Sequence, residues 1–336
     1  MQDAPIDATV EPDRASGREP SLVSAVAAAR AAVRDAAPVH DGGADLPRFE
    51  LFHAASSICS QKVRVILAHH RLQYIGHQLN LFAGDTYLPA YVRLRMLGCD
   101  RFGGPLVSRH DGNTSAGAGG CDGAVVPTLI DWRSGDVIVD SLRICLHLDG
   151  QVAAGDRLRP ANLAAAVDAE MTIVDALPNY QMLMGRTVGG NESANSSKDV
   201  GGAFSQRKVA WCDRYLAENP SDAPLVAAYT AKRAKELSAA EGLFSADAMR
   251  VAYDRAEAAL IGLNQKLSDP TTPWLYGRNP TLADLFWGIE LLRMQNVGIG
   301  HYWESGRLPN IEAMLAAITD LAAIRSAIID WPGATF

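Results

Sequence analysis

Phe49-Glu-Leu-Phe-His-Ala-Ala-Ser-Ser-Ile-Cys-Ser-Gln-Lys-Val-Arg64 is the stretch on which the reading of the fold turns. From Arg48 to His53 charged and apolar residues alternate as they do in a half-buried strand, and from Ile58 the apolar spacing becomes helical through Val63, Ile66 and Leu67. A strand therefore gives way to a helix near Ser56. Cys59 falls in the first turn of that helix, where unpaired backbone N–H groups and the helix dipole stabilise a thiolate. A lone cysteine near a helix start is more often a small packed residue, so position alone leaves packing and catalysis both open.

A later stretch narrows the choice. Ala124-Val-Val-Pro-Thr-Leu-Ile130 reads as a short buried strand entered through Pro127, with the Val126-Pro127 bond expected to be cis. Trp132 to Asp136 then forms a turn, Val137 to Val139 a second strand, and Asp140-Ser141 opens the next helix.

Taken together, these residues resemble the glutathione S-transferase superfamily, over residues 48 to 336. Within it, Ser57-Ile-Cys59-Ser60, Tyr91-Val-Arg-Leu94, Val125-Val-Pro-Thr-Leu129 and Ala283-Asp-Leu-Phe-Trp287 are most similar to the glutathione-dependent reductive dehalogenases of chlorinated hydroquinones. The resemblance implies an α+β thioredoxin-like domain followed by an all-α domain. The expected layout is a flexible extension at 1–47, a glutathione-binding domain at 48–149 with an insertion at 98–123, and a helical substrate-binding domain at 150–336.

The resemblance also assigns roles. Val126, beside Pro127, is expected to pair its backbone with the cysteinyl unit of glutathione, a strand addition that needs no special side chain. Asp140 and Ser141, at a helix start, are expected to hold the γ-glutamyl end, although Ser141 as a simple cap is the plainer alternative. Ser57 is placed to donate to the glutathione sulfur and Cys59 to act as a second, protein-borne thiolate, which Lys62 and Arg64 would favour if they face it. Cys59-Ser-Gln-Lys62 lacks the second cysteine of a dithiol redox pair, but a single cysteine can still form a mixed disulfide. For the organic substrate the candidates are Tyr180 within Pro178–Gln181, Met182, Met184 and Trp287, any of which could equally be core.

Composition sets the outer limits. A chain of 336 residues can hold two modest domains, and a net charge of −7 opposes binding to nucleic acid or anionic membrane. A small-molecule partner is expected. The five cysteines, Cys59, Cys99, Cys121, Cys145 and Cys212, are scattered and odd in number, which fits a reduced cytoplasm. No apolar run reaches the length of a spanning helix. The Cys, His and Asp residues of 98–123 match no zinc spacing, so no metal is expected, and that long Gly-rich stretch is read as cover for the active-site mouth.

Residues 1–47 contain no Phe, Trp or Tyr, and only Ser21 to Asp35 could form a helix there, with a thin apolar face that docks on the body or on a partner subunit. From residue 150 the spacing is helical, with a polar interruption at 185–202 read as a mobile loop. In Asn279-Pro-Thr-Leu-Ala-Asp284, Thr281 and Asp284 have the spacing of a capping box for a helix with one buried stripe. A dimer is expected, of like or related chains. Reductive dehalogenation is the leading function. Aryl-ether cleavage or cis-trans isomerisation by glutathione, and a non-catalytic transferase-fold subunit, are the alternatives; Ile58 interrupts the Ser-Ser-Cys run of the isomerase class.

Overall fold

The computed structural model describes residues 20–33, 39–40, 47–113, 120–185 and 196–334. Its sheet consists of Val39–His40 (β1), Phe49–His53 (β2), Tyr74–Gln78 (β3), Thr128–Asp131 (β4) and Asp136–Val139 (β5), in the spatial order β1-β3-β2-β4-β5. β2 runs parallel to β3 and antiparallel to β4, with Phe49 opposite Tyr74 on one side and Asp131 on the other. Around it stand Pro20–Ala32 (α1), Ile58–His69 (α2), Pro89–Phe102 (α3) and Ser141–Asp149 (α4). From β2 to α4 the order is therefore β-α-β-α-β-β-α, as expected.

The alternation in β2 marks a central strand rather than an edge facing water, because all five of its residues are buried. Glu50 is buried with them and satisfied from three directions. Arg30 of α1 forms an ion pair with it, His77 Nε2 lies 2.6 Å from one oxygen, and the Trp132 indole donates to the other at 3.0 Å. Burial opposes the charge, but the Arg30 and His77 hydrogen bonds outweigh it and hold the carboxyl below its ordinary range.

For residues 20–33 that ion pair replaces the picture of a flexible extension with the docked helix that Ser21 to Asp35 could form. α1 packs on α3, and Leu22, Val26, Ala29 and Val33 bury a stripe at helical spacing against Phe52, Leu79 and Trp132. The face is thin because alanine lets the helix approach closely. Residues 1–19, 34–38 and 41–46 lie outside the described residues.

The helical part contains Ala164–Asp175 (α5), Asn179–Met184 (α6), Ser196–Glu218 (α7), Ala223–Ser238 (α8), Ala246–Lys266 (α9), Leu282–Asn296 (α10) and Pro309–Asp320 (α11). Residues 196–202, expected in a loop, open α7 instead; 186–195 lie outside the described residues. α10 is the hub, touching α2, α5 and α11. It is buried on nearly every side rather than along one stripe, and at Gly288 a side chain would strike Ile318 of α11. Among the described residues no helix is long and apolar enough to cross a membrane.

α10 starts with the capping box read from the sequence. The Thr281 amide donates to Asp284 Oδ2 at 2.7 Å, the Thr281 hydroxyl is 2.6 Å from the same oxygen, and Asp284 Oδ1 accepts from the Leu275 amide at 2.7 Å. Replacing Thr281 by Ala should lower stability by about 1 to 2 kcal/mol, the scale of a lost helix cap, measured as a shift of the urea unfolding midpoint. Turnover per folded molecule should be unchanged; a large loss of turnover at unchanged stability would contradict the structural role.

Candidate active site

The turn between β2 and α2 has almost no backbone freedom left. Arg64, one of the largest fully buried side chains, donates to Ala54 O at 3.1 Å, Ala55 O at 2.9 Å and Ala327 O at 2.9 Å. Arg293 of α10 reaches Ser56 O at 2.6 Å, and the Ser60 hydroxyl accepts from the Ala54 amide at 3.1 Å. Ser57 is the N-cap of α2, its Oγ accepting from the Ser60 amide at 3.3 Å. An oxygen that accepts there keeps its own hydrogen to donate elsewhere. Cys59 is thus delivered, buried and outside any disulfide, to the first turn of α2.

Of the two cations expected to favour its thiolate, only one is placed to do so. Arg64 is turned to the backbone and stacks over Trp331. Lys62 lies beside the Phe286 ring and pairs with Asp175 at 2.5 Å; burial works against its charge, but Asp175, Cys59 and Glu290 together raise its pKa. Cys59 and Lys62 therefore feel each other's charge, although Asp175 has the first claim on the ammonium.

Cys59 stands on a wall shared by two cavities. The smaller, about 50 Å³, is lined by Val125, Val126, Asp140, Ser141 and Cys121 as well as Cys59. The Val126-Pro127 bond is cis, and the strand itself begins at Thr128, later than the sequence pattern suggested. Asp140 caps α4 with a left-handed φ of 77°, its carboxylate accepting from the Arg143 amide at 3.2 Å. Ser141 Oγ is buried with no hydrogen-bond partner among the described residues. A buried hydroxyl left unmatched is costly, which sets Ser141 apart from the other residues of this wall. Cys121, on the same wall, packs with Cys99 in one buried cluster.

The larger cavity, about 170 Å³, adds Ser57 and Tyr180 to Cys59 and Val126. Leu81, Phe82, Leu183, Met184 and Phe204 make one side apolar. Trp287 does not reach it. That side chain is wholly buried in the helical core, with its indole N–H 3.2 Å from Glu170 Oε2, because α10 is enclosed on all sides. Met182 is likewise core. A third cavity, lined by Arg64 and later residues of α2 and by Ser326, Ala327 and Trp331, contains none of the candidate glutathione- or substrate-binding residues.

The polar side of the larger cavity is what the sequence concealed. Lys208 of α7 donates to the Tyr180 hydroxyl at 2.9 Å and to Glu236 of α8 at 3.1 Å; Lys232 bridges Glu236 at 2.9 Å and Asp122 at 2.8 Å; Lys235 reaches Asp122 at 3.1 Å. A signal did exist. Lys232 and Glu236 continue the buried stripe of Leu225, Ala228 and Tyr229 at helical spacing, an unusual place for charge unless it is paired around a site.

The 98–123 segment lines both cavities, though its first five residues belong to α3, which ends at Gly103 with φ 70°. Its Gly112 carbonyl accepts from the Tyr180 amide at 3.0 Å, and His110 stacks on the Tyr180 ring at 4.5 Å. Burial, aided by Lys235, pushes the His110 imidazole down to about 2 and keeps it neutral. Among the described residues no group of three or more His, Cys, Asp or Glu could hold a metal ion.

The sequence profile of the glutathione S-transferase N-terminal domain matches residues 56–151. A 2,5-dichlorohydroquinone reductive dechlorinase of Sphingobium indicum, found in two strains, is 34% identical over 290 residues, covering 85% of this chain and 84% of its own. Among solved structures, the β-etherase LigF of Sphingobium sp. strain SYK-6 superposes with a TM-score of 0.55 at 16% identity, covering 83% of this chain and 98% of that one. At that identity the likeness concerns the fold.

Replacing Arg64 by Lys should cost about 3 kcal/mol, since one ammonium cannot satisfy buried carbonyls held by a charged fork. Urea unfolding checks this: an unchanged midpoint would mean that Gln61 and Arg293 suffice to hold the turn.

Proposed function

Because the chain belongs to the glutathione S-transferase family, we propose that this enzyme uses glutathione to remove halogen reductively from a chlorinated hydroquinone. The observation that carries the reading is the position of Cys59 on the wall between two cavities, one that includes Ser141 and Asp140 at the start of α4, the other with apolar residues such as Leu81, Phe82, Leu183 and Phe204. One thiol reaches both compartments.

In this reading the γ-glutamyl end of glutathione, the co-substrate, enters the smaller cavity. That end meets Ser141 Oγ and the N-terminus of α4, Val126 pairs with the cysteinyl backbone of glutathione, and Pro127 fixes that stretch of chain. Its sulfur then lies near Ser57, whose hydroxyl donates to the thiolate. The thiolate attacks the halogen-bearing carbon of the keto tautomer of the ring; a C–S bond forms and the C–halogen bond breaks with loss of halide. The Cys59 thiolate next attacks the glutathionyl sulfur. An S–S bond forms, the C–S bond breaks, and the ring leaves with the electron pair and takes up a proton. A second glutathione thiolate cleaves the mixed disulfide, giving glutathione disulfide and free Cys59. Two glutathiones are oxidised for each halogen replaced by hydrogen.

Ser141→Ala should weaken glutathione binding by about 1 to 2 kcal/mol, the worth of a hydrogen bond to a charged group, as measured by calorimetric titration. Equal affinity would reduce Ser141 to a packed helix-start residue.

Cys59→Ser separates the two sulfur steps. The variant should still release halide but stop at the glutathionyl hydroquinone, because a hydroxyl cannot attack that sulfur. Wild-type protein should give the dehalogenated ring and, on rapid quenching, a glutathione adduct on Cys59 seen by mass spectrometry. Fully reduced product from the Ser variant at the wild-type rate would make Cys59 a packing residue and the mechanism wrong.

A further inference from the structure

The polar side of the larger cavity is not used by the sulfur chemistry. Three ammonium groups, Lys208, Lys232 and Lys235, face two carboxylates, Asp122 and Glu236, in one connected and largely buried group. Both carboxylates stay ionised. Burial opposes their charge, but Lys208 and Lys232 outweigh it at Glu236 and hold it at about 2, while Lys232 and Lys235 keep Asp122 well below the usual range. His110 is neutral. Among these described groups one positive charge is left unbalanced, and a buried charge of that kind calls for an anion.

Two phenol hydroxyls stand beside it. Tyr180 Oη accepts from Lys208 and so has its own hydrogen to give. Tyr87 also lines this cavity, and its buried hydroxyl has no partner among the described residues. We propose that these residues form the recognition site for the aromatic substrate in its ionised form, Tyr180 and Tyr87 donating to a phenolate oxygen whose counter-ion is the surplus charge of the lysine group. The inference rests on the reading above that the substrate is a halogenated hydroquinone, and names what selects it. Halogens make such a hydroxyl acidic enough to ionise near neutrality, and the apolar side of Leu81, Phe82, Leu183 and Phe204 takes the halogenated ring. A ring with no acidic hydroxyl would leave the charge unmatched and bind poorly.

The groups that face Lys208 set the sign of the pH dependence. Glu236 and Lys232 come from α8, Tyr180 from α6 and His110 from the 98–123 segment, with Lys235 and Asp122 next in the chain of contacts and Arg293 entering the cavity from α10. A net cationic surrounding favours the phenolate, so the bound hydroxyl ionises at lower pH than the free one.

The test is an anaerobic titration of the wild-type protein with 2,5-dichlorohydroquinone, without glutathione, following the phenolate absorbance as pH is varied. Binding should lower the apparent pKa of the hydroquinone by about one unit or more. Its dimethyl ether should bind about tenfold more weakly or worse. Lys208→Met should raise the KM for the hydroquinone about tenfold and return the ionisation toward the free value, with the KM for glutathione unchanged. Tyr180→Phe, which removes only a hydroxyl, should do the same in part, and Lys208→Arg should restore most of the pKa shift. A bound hydroquinone that titrates like the free compound, or equal binding of the dimethyl ether, overturns the proposal even if halide is released when glutathione is added. A shifted pKa with no halide release supports this site and rejects the dehalogenation reading instead.

Discussion

The guanidinium of Arg64 is the interaction on which the rest of the site depends. It is almost fully buried, so its charge and the carbonyls around it are satisfied by one another, at Ala54 O, Ala55 O and Ala327 O. Two of those oxygens belong to the turn before α2 and the third to the C-terminal segment. One cation therefore ties the thioredoxin-like part to the end of the helical part, and Arg293 repeats the device from the opposite partner by taking Ser56 O. Every carbonyl from Ala54 to Ser57 is occupied, the last accepting from the Gln61 amide at 2.8 Å, so the backbone that leads to Cys59 is held against α10. A side chain in a flexible turn would have to find its geometry anew at each encounter; here the geometry is part of folding.

The same economy of charge explains what could be read in the sequence and what could not. Ser57 as N-cap, the cis Val126-Pro127 bond, Asp140 opening α4 and the Thr281–Asp284 box all follow from local chemistry, where a residue type and its neighbours suffice to set the backbone. Arg64 gave no such sign. Its position on α2 reads as an ordinary helical cation, and only the return of the chain at Ala327 makes it a buried one. Trp287 failed in the opposite way: an aromatic on an amphipathic pattern suits a ligand wall as well as a core, and burial on all sides of α10 decides for core. β2 was legible as a strand but not as a central one, because the cover that buries Glu50 comes from α1, distant in sequence and poor in large apolar residues.

The 98–123 segment shows how a region with weak local signals can become structural. Little in its glycines and polar residues predicts an ordered course, yet its described ends are fixed by contacts from elsewhere. Cys121 bonds back to Pro105 and Val107, Gly112 caps α6, and His110 donates its amide to Ser238 at the end of α8. At Gly112 the backbone has φ 89° and a side chain would collide with Gln181, so glycine is required by both conformation and space. The segment thus belongs to the cavity wall as much as α6 and α8 do.

That wall also determines how the two compartments differ. The smaller cavity presents hydroxyl and backbone groups at a helix start, which suits the flexible, zwitterionic end of a peptide thiol. In the larger, a rigid apolar side faces buried charges that are already paired with one another, so a bound ring gains little from general attraction and much from matching one surplus charge at one place. Cys59 and Val126 are common to both, and Lys235 touches both as well. Lys235 pairs with Asp122 of the smaller cavity while lining the larger, so the two compartments share a charged wall as well as a cysteine.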